Sequence, residues 1–322
     1  MKYKVALTNP SQHPPDSTTL DLLRRCDASL EARDCGDRHE LVTLCADADA
    51  VLVASTRIDA DSISTFQSCR AIVRMGTGYD NIDIEAAGRA GIPVCNIPEF
   101  CTDDVADHTW ALLLACARQL LAGDREVRAG LWNPFHLMPV HRLRGQILGL
   151  VGFGKIGQAV ARRAVAFGLN PIYFDPYCQP APNRQPATAC ESLDTLLSMA
   201  DFVSLHVPLT RQTRDMMGLS QFRRMKRTSI LINCARAEVV NQDDLILALK
   251  EGTVAGAALD VFESEPPSLS NPLIALPNVL LSPHCAAHST EALVSLRSQA
   301  YEEVVRALCG EPMIHVVNRE FL

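Results

Sequence analysis

Three features are missing from the chain, and each absence excludes a class of protein. No apolar run reaches membrane-spanning length, and residues 1–7 lead directly into a predicted strand without the longer apolar region of a signal peptide. The 30 basic residues are spread along a chain of net charge −7 and form no block of the kind that follows a phosphate backbone. We therefore expect a cytoplasmic protein that binds no membrane and does not bind nucleic acid directly.

The cysteine pattern excludes a further class. The chain has 12 cysteines but no Cys-x-x-Cys pair and no metal-ligand cluster with histidine. This spacing predicts free thiols in a reducing compartment and no metal site. An internal repeat is also missing, and 322 residues with 48% hydrophobic content allow two domains that each bury a core.

The chain does have a glycine-rich turn, and an apolar run lies on either side of it. An apolar run ends in Gly152, Gly154 and Gly157, which permit a tight turn, a close backbone approach to a pyrophosphate, and packing of helix on strand. A second apolar run, 172–174, ends at Asp175, whose carboxylate can accept hydrogen bonds from an adenosine ribose. A lone glycine motif is equally often a turn without a ligand. Strand, helix and distal acid together predict a dinucleotide site.

Apolar runs also predict the fold class. The first hundred residues alternate short apolar runs with polar helical stretches, which indicates a small parallel α/β unit. From Thr102 to about Gly123, apolar residues recur at helical spacing and predict one long helix. Beyond Leu143, six apolar runs end in glycine or a polar group, and ligands of parallel sheets bind where strands end. These ends are Gly152, Asp175, Pro208 after His206, Arg236, Asp260 and His284.

The last apolar helix has no strand after it. Leu293, Leu296, Ala300, Val304 and Leu308 share one of its faces, so we expect it to return to the first unit. The sequence thus predicts an α/β protein with two Rossmann-like parallel-sheet domains, in which the cofactor domain is inserted into a discontinuous substrate domain. We place a flavodoxin-like substrate domain at 1–100 and 289–322 and a Rossmann domain at 101–288.

Three side chains at or near the strand ends offer the groups that carbonyl reduction needs. Arg236 could clamp a carboxylate and polarise the adjacent carbonyl, and His284 could exchange a proton with the substrate oxygen. Glu265 could pair with His284 and stabilise its imidazolium. Each alone is more often a surface arginine, a core or surface histidine, or an exposed loop glutamate.

Seven segments together resemble the D-isomer-specific 2-hydroxyacid dehydrogenase family over nearly the full chain. They are 73–83, 104–108, the glycine turn with Asp175, 205–210, 233–236, 260–266 and 282–284. The resemblance implies an NAD-dependent oxidoreductase that interconverts a small D-2-hydroxy acid and its 2-keto acid. It also implies a homodimer, formed through an arm that contains Trp132 and Phe135.

The resemblance assigns roles to residues. It implies that Arg236 binds substrate and that Glu265 and His284 form the acid/base pair. Arg74 matches an arginine that reaches the substrate in the branch resembling C-terminal binding proteins. The substrate-binding set is Arg74, Gly76, Thr77, Gly78, Arg236 and His284. The cofactor-binding set is Thr102, Gly152, Gly154, Lys155, Ile156, Gly157, Asp175, His206, Val207, Pro208, Cys234, Ala235, Asp260 and Ala286.

The chain departs from the family pattern near the site. Ala237 replaces a usual glycine after Arg236, and we expect its Cβ to shift the arginine loop slightly. Ala287 and His288 replace bulky aromatics of the corepressor-like branch, so the pocket wall differs. Two alternatives stay open. One is a corepressor-like interaction protein that senses NAD; the other is D-3-phosphoglycerate dehydrogenase-like activity, which needs basic side chains that the sequence does not place.

Overall fold

The computed structural model describes residues 1–137, 139–178 and 186–322. They form two compact units, one of Met1–Cys101 with His288–Leu322 and one of Thr102–Ala287. These divisions fall one residue from the expected domain boundaries. All 12 cysteines are free thiols. Among the described residues, no helix combines the length and the apolar character needed to cross a bilayer.

Strands and helices alternate along the chain. The strands are β1 (Tyr3–Leu7), β2 (Ala28–Ala32), β3 (Ala50–Val53), β4 (Ala71–Arg74), β5 (Val94–Cys95), β6 (Ile147–Val151), β7 (Asn170–Phe174), β8 (Thr188–Ala189), β9 (Phe202–Leu205), β10 (Ile230–Asn233), β11 (Gly256–Leu259) and β12 (Val279–Leu281). The α-helices are α1 (Ser17–Arg25), α2 (Arg38–Cys45), α3 (Ala60–Ile63), α4 (Ile84–Arg89), α5 (Thr102–Ala117), α6 (Leu120–Arg128), α7 (Lys155–Ala166), α8 (Leu193–Met199), α9 (Leu219–Phe222), α10 (Gln242–Lys250), α11 (Pro272–Ala275) and α12 (Thr290–Cys309).

The first unit is built on five parallel strands in the order β2-β1-β3-β4-β5. This is the flavodoxin strand order. Val5 and Leu7 of β1 pack with α1 and α12 on one face, and Ala6 packs with α2 on the other. Because both faces are buried, the inner strands are continuous apolar runs without polar alternation, which is why the sequence reveals them.

The long helix α12 completes the first unit from the far end of the chain. It begins at a Ser289 cap, which accepts a hydrogen bond from the Ala292 N–H, and ends at Gly310 in the left-handed conformation. Its buried face enters the same core as Val5 and Leu7. The residues of that face are Leu296, Ala300, Tyr301, Val304 and Leu308.

The second unit has seven parallel strands in the order β12-β11-β10-β9-β6-β7-β8. The order in which successive strands are added to the sheet reverses between β6 and β9, as in Rossmann folds, and ligands bind beyond the carboxyl ends of strands at such a point. Helices cover both faces. Leu148 and Leu150 pack in one core with α5 and α7, whereas Val151, Val203 and Leu231 pack in the other.

The predicted fold class, two parallel-sheet α/β domains, is confirmed. The predicted single helix from Thr102 to about Gly123 is wrong, because Gln119 takes a left-handed conformation (φ 49°) and separates α5 from α6. Leu120, which extended the apolar spacing, is exposed. The short edge strands β2 and β8 were not expected, since neither carries a continuous apolar run.

Candidate functional site

The glycine turn after β6 is shaped by close contacts. Gly152 has φ 92°, and a Cβ there would lie 2.6 Å from the carbonyl oxygen of His206. A Cβ on Gly157 would lie 2.5 Å from the Gly152 oxygen, so the missing side chain lets α7 pack against the turn. Both positions therefore require glycine.

The start of α7 is open to an anion. Gly154 is its N-cap, and an ideal Cβ there would meet nothing within 4 Å. The N-cap residue makes no side-chain hydrogen bond to this helix end, and Lys155 and Ile156 lie in its first turn. The positive end of a helix dipole suits the pyrophosphate of a dinucleotide.

Asp175 completes this cofactor-binding half. It follows β7, and its Oδ2 accepts a hydrogen bond of 2.8 Å from the Phe153 N–H within the glycine turn. Its Oδ1 accepts one of 2.9 Å from the Tyr177 N–H. Each carboxylate oxygen keeps a lone pair for a ribose hydroxyl. The turn, the open helix start and this fixed carboxylate fit an adenine dinucleotide.

The neighbouring strand ends carry mostly uncharged groups. His206, followed by Val207 and Pro208, comes after β9, and burial lowers the pKa of His206 to about 4, so its imidazole is neutral. Its Nε2 lies 2.9 Å from the Ser204 hydroxyl. Cys234, followed by Ala235, comes after β10, and burial raises the pKa of its thiol to about 12. Thr102 is the first residue of α5.

Asn233 shapes the turn that carries Arg236. Its Nδ2 donates to the Arg236 carbonyl at 2.9 Å, and its Oδ1 accepts from the Ala235 N–H at 3.0 Å. Ala237 begins a 3-10 helix, Ala237–Val239, a conformation that alanine adopts without strain. This conformation needs no glycine at position 237, and the small shift of the arginine loop stays a prediction.

Glu265 and His284 meet as the sequence suggests. The Nδ1 of His284 lies 2.7 Å from Glu265 Oε2, and Glu265 Oε1 accepts a hydrogen bond of 3.1 Å from the Phe262 N–H. With Nδ1 engaged, Nε2 is the ring nitrogen left for proton exchange with a ligand. His284 has φ 49°, a left-handed conformation that is costly for a residue with a Cβ and is often found at functional sites.

The fully buried carboxylate of Asp260 holds the histidine loop. Its Oδ1 accepts hydrogen bonds from the Ser282 hydroxyl (2.5 Å) and the Cys285 N–H (3.1 Å), and its Oδ2 accepts one from the Ala286 N–H (2.9 Å). The Asp260 carbonyl accepts a fourth from the His284 N–H at 2.8 Å. The structure thus gives Asp260 a structural task that the sequence does not indicate.

His108 joins this network from α5. Its Nε2 lies 3.0 Å from the Ser282 hydroxyl and 3.4 Å from Asp260 Oδ1. His108, Asp260 and Cys285 present ligand atoms within 4.8 Å of one another, a grouping that the spacing of the cysteines in the sequence does not indicate. The segments 104–108 and 282–284 contribute to the family resemblance, but the sequence assigns no role to His108 or Ser282. Their position within those segments was the available signal.

The first unit contributes its own loop at the end of β4. Gly76 has φ 146°, and a Cβ there would lie 1.4 Å from Nη1 of Arg74, whose guanidinium covers this backbone. Asn96 Nδ2 donates to the Thr77 carbonyl at 2.6 Å and fixes the turn that leads to Gly78. Arg74 and the 76–78 backbone thus belong to the first unit, and Arg236, Glu265 and His284 to the second.

Comparison with known proteins agrees with these features. The pattern described as "D-isomer specific 2-hydroxyacid dehydrogenase, NAD binding domain" matches residues 110–286. A glyoxylate reductase of Korarchaeum cryptofilum is 42% identical over 278 residues, which cover 85% of this chain and 84% of that protein.

Two further relatives differ in their named substrates. A D-3-phosphoglycerate dehydrogenase of Archaeoglobus fulgidus is 37% identical over 95% of this chain, which spans 58% of that protein. The crystal structure of D-lactate dehydrogenase from Aquifex aeolicus, complexed with NAD and lactic acid, superposes with a TM-score of 0.88 at 26% identity, covering 98% of this chain and 99% of that one.

The charge of Asp175 predicts cofactor preference. A carboxylate that accepts ribose hydroxyls repels a 2′-phosphate, so kcat/KM should be at least about tenfold higher with NADH than with NADPH. Asp175→Ala should erode this preference, whereas Asp194→Ala, at an exposed position on α8, should leave it intact. Steady-state kinetics with both cofactors measure the ratio. Comparable efficiency of the unmodified protein with both would contradict the assignment.

Proposed function

The chain belongs to the D-isomer-specific 2-hydroxyacid dehydrogenase family, and we propose that Arg236, Glu265 and His284 carry out its reaction. It is an NAD-dependent oxidoreductase that interconverts a small D-2-hydroxy acid and its 2-keto acid. The observation that carries the residue assignment is the 2.7 Å contact between His284 Nδ1 and Glu265 Oε2, on the same sheet edge as the dinucleotide turn.

Each residue has one task in keto-acid reduction. Bound NADH supplies the hydride that reduces C2. Arg236 holds the substrate and polarises its keto group, which favours negative charge on the oxygen. His284 donates a proton from Nε2 to that oxygen, and Glu265 stabilises the imidazolium beforehand. In the oxidation direction His284 accepts the proton from the hydroxyl group.

The other proposed contacts lie in the first unit. Backbone N–H groups around Gly76 to Gly78 would receive the substrate carboxylate, and Arg74 would reach the substrate from above this loop. The positive φ of Gly76 and the position of the Arg74 guanidinium over it support this assignment. The NAD-sensing interaction protein remains the alternative from a different class.

A turnover assay separates the two classes. Purified protein should oxidise NADH in the presence of 2-keto acids such as glyoxylate, pyruvate or 2-ketobutyrate. His284→Ala should lower kcat by about 10²- to 10⁴-fold, the usual contribution of a general acid, with little change in NADH affinity. NADH binding without turnover of any keto acid would instead favour the interaction protein.

The Glu265 carboxylate predicts a pH effect. Glu265→Gln removes the negative charge beside His284 but preserves the size of the side chain. The imidazolium then loses a stabilising partner, so the upper pH limit of keto-acid reduction should move to lower pH. The pH dependence of kcat/KM measures this, with Glu263→Gln as the neighbouring control. A profile that stays unchanged when chemistry limits the rate would remove Glu265 from the acid/base pair.

Ala287 predicts a preference for larger substrates. If the space beside Ala287 is open to substrate, longer or aromatic 2-keto acids should gain over glyoxylate, by several-fold for each buried methylene. Ala287→Trp should fill the space and reverse the order. Kinetics with glyoxylate, pyruvate, 2-ketobutyrate and phenylpyruvate test this. A wild type that prefers glyoxylate, together with a tryptophan variant of unchanged ranking, would refute it.

Surface and thiol chemistry support proposals on assembly and compartment. We propose a homodimer, because Trp132 and Phe135 are 86% and 80% exposed, and Leu120 and Leu131 of the same segment of the chain are exposed as well. A second copy that covers this segment would remove apolar surface from water. The 12 free cysteines suit a reducing compartment, which supports a cytoplasmic location.

A further inference from the structure

The loop after β1 places a histidine at the ligand edge of the first sheet. The Asn9 side chain ties this loop to the one after β3, since its Oδ1 accepts hydrogen bonds of 3.0 Å from both the Ala54 N–H and the Thr56 hydroxyl. The His13 N–H donates to the Asn9 carbonyl at 3.1 Å. His13 is therefore held in a fixed position beyond the carboxyl ends of β1 and β3.

His13 is a buried polar side chain with an unused atom. Only 9% of its surface is exposed, and its Nδ1 is buried without a hydrogen-bond partner among the described residues. Burying a polar group without a partner is costly, and native proteins rarely tolerate it except where a ligand, an ion or water completes the contact. The unpartnered Nδ1 of His13 therefore indicates that a ligand, an ion or water binds beside this side chain.

Arg297 of α12 lies near enough to His13 to act on it electrostatically. Its side chain is 18% exposed, and its Nε lies 3.6 Å from Asp16 Oδ2, an ion pair longer than a hydrogen bond. The other oxygen of Asp16 is already engaged, because Oδ1 accepts the Thr19 N–H at 2.9 Å as the cap of α1. No hydrogen bond to the Arg297 Nε is formed within the described part of the chain.

Positive charge surrounds His13. The pKa of His13 is lowered to about 4, mainly by burial and in addition by the neighbouring Arg74, Arg297 and His288. The imidazole is therefore neutral at physiological pH and offers a hydrogen bond without adding charge. Arg74 also covers Gly76, the backbone that we assign to the substrate carboxylate. A neutral donor among arginines beside that loop is suited to a second anion.

We propose that His13, Arg297 and His288 form a second anion subsite beside Arg74, and that the substrate is a 2-keto acid with a carboxylate or phosphate at its far end. This inference rests on the proposed function, in which the keto acid reacts at Arg236 and His284. The distal anion takes no part in hydride or proton transfer. It contributes binding and selects the substrate, as buried charged donors do when they reject a ligand that lacks the matching group.

The substrate pair to compare is one of equal length and different charge. Wild-type protein with NADH should reduce 2-oxoglutarate with a kcat/KM at least about tenfold above that for 2-oxopentanoate, if the far group is a carboxylate. If it is a phosphate, the same advantage should appear for phosphohydroxypyruvate over hydroxypyruvate. The two arms identify the anion, and an advantage in either supports the subsite.

Variants connect the preference to the residues. Arg297→Met keeps the length of the side chain but removes the charge, and it should reduce the ratio of charged to neutral kcat/KM about 10- to 100-fold, the effect of one charge-assisted hydrogen bond. His13→Leu should lower the same ratio. Arg89→Met, an exposed arginine paired with Glu85 on α4, should leave the ratio unchanged.

Three results would overturn the subsite. One is a wild type without preference for either charged substrate; another is a ratio that neither Arg297→Met nor His13→Leu alters, even if total activity falls. If no keto acid is reduced at all, the proposed function fails. Calorimetry on the NADH-loaded protein then decides the subsite, which fails if 2-oxoglutarate and phosphohydroxypyruvate each bind Arg297→Met as tightly as wild type.

Discussion

The hydrogen bonds of the buried Asp260 carboxylate hold the catalytic loop together. Asp260 follows β11, between the strands that lead to Arg236 and to His284, and it binds backbone or hydroxyl groups on both sides of His284. A charge in this position is tolerated because its oxygens are satisfied. The same bonds keep His284 in its left-handed conformation, from which its Nδ1 reaches Glu265.

Side-chain amides hold other loops in place through hydrogen bonds to the backbone. Asn233 shapes the Arg236 turn, and Asn9 links two loops of the first sheet. Asn96 fixes the carbonyl of Thr77 beside Gly76. In each case an amide satisfies a backbone donor or acceptor where a strand has ended and sheet hydrogen bonding has stopped. Loops at the ligand edges are thereby tied down by side-chain hydrogen bonds, although they lack regular secondary structure.

Much of the fold could be predicted because inner parallel strands are buried on both faces and read as continuous apolar runs. The edge strands β2 and β8 lack that signal. The break between α5 and α6 falls at Gln119, with neither glycine nor proline to mark it. Propensity alone does not predict a left-handed glutamine.

The candidate site could likewise be predicted only in part from the sequence. The glycine turn, Asp175 and the approach of Glu265 to His284 follow from strand ends and local spacing. The network of His108 and the surroundings of His13 do not, because their partners lie far away in sequence and carry no local motif. Roles within catalysis stay predictions, since they depend on bound substrate.

The position of α12 in the chain has a consequence for synthesis. Its apolar face covers β1, β3 and β4, yet the ribosome makes it only after every residue of the second unit. The second unit is continuous and can fold as soon as it emerges, as domains generally do. Until α12 is made, α1 alone packs on that face of the first sheet, and the apolar surface that α12 later covers stays exposed to water in the nascent chain.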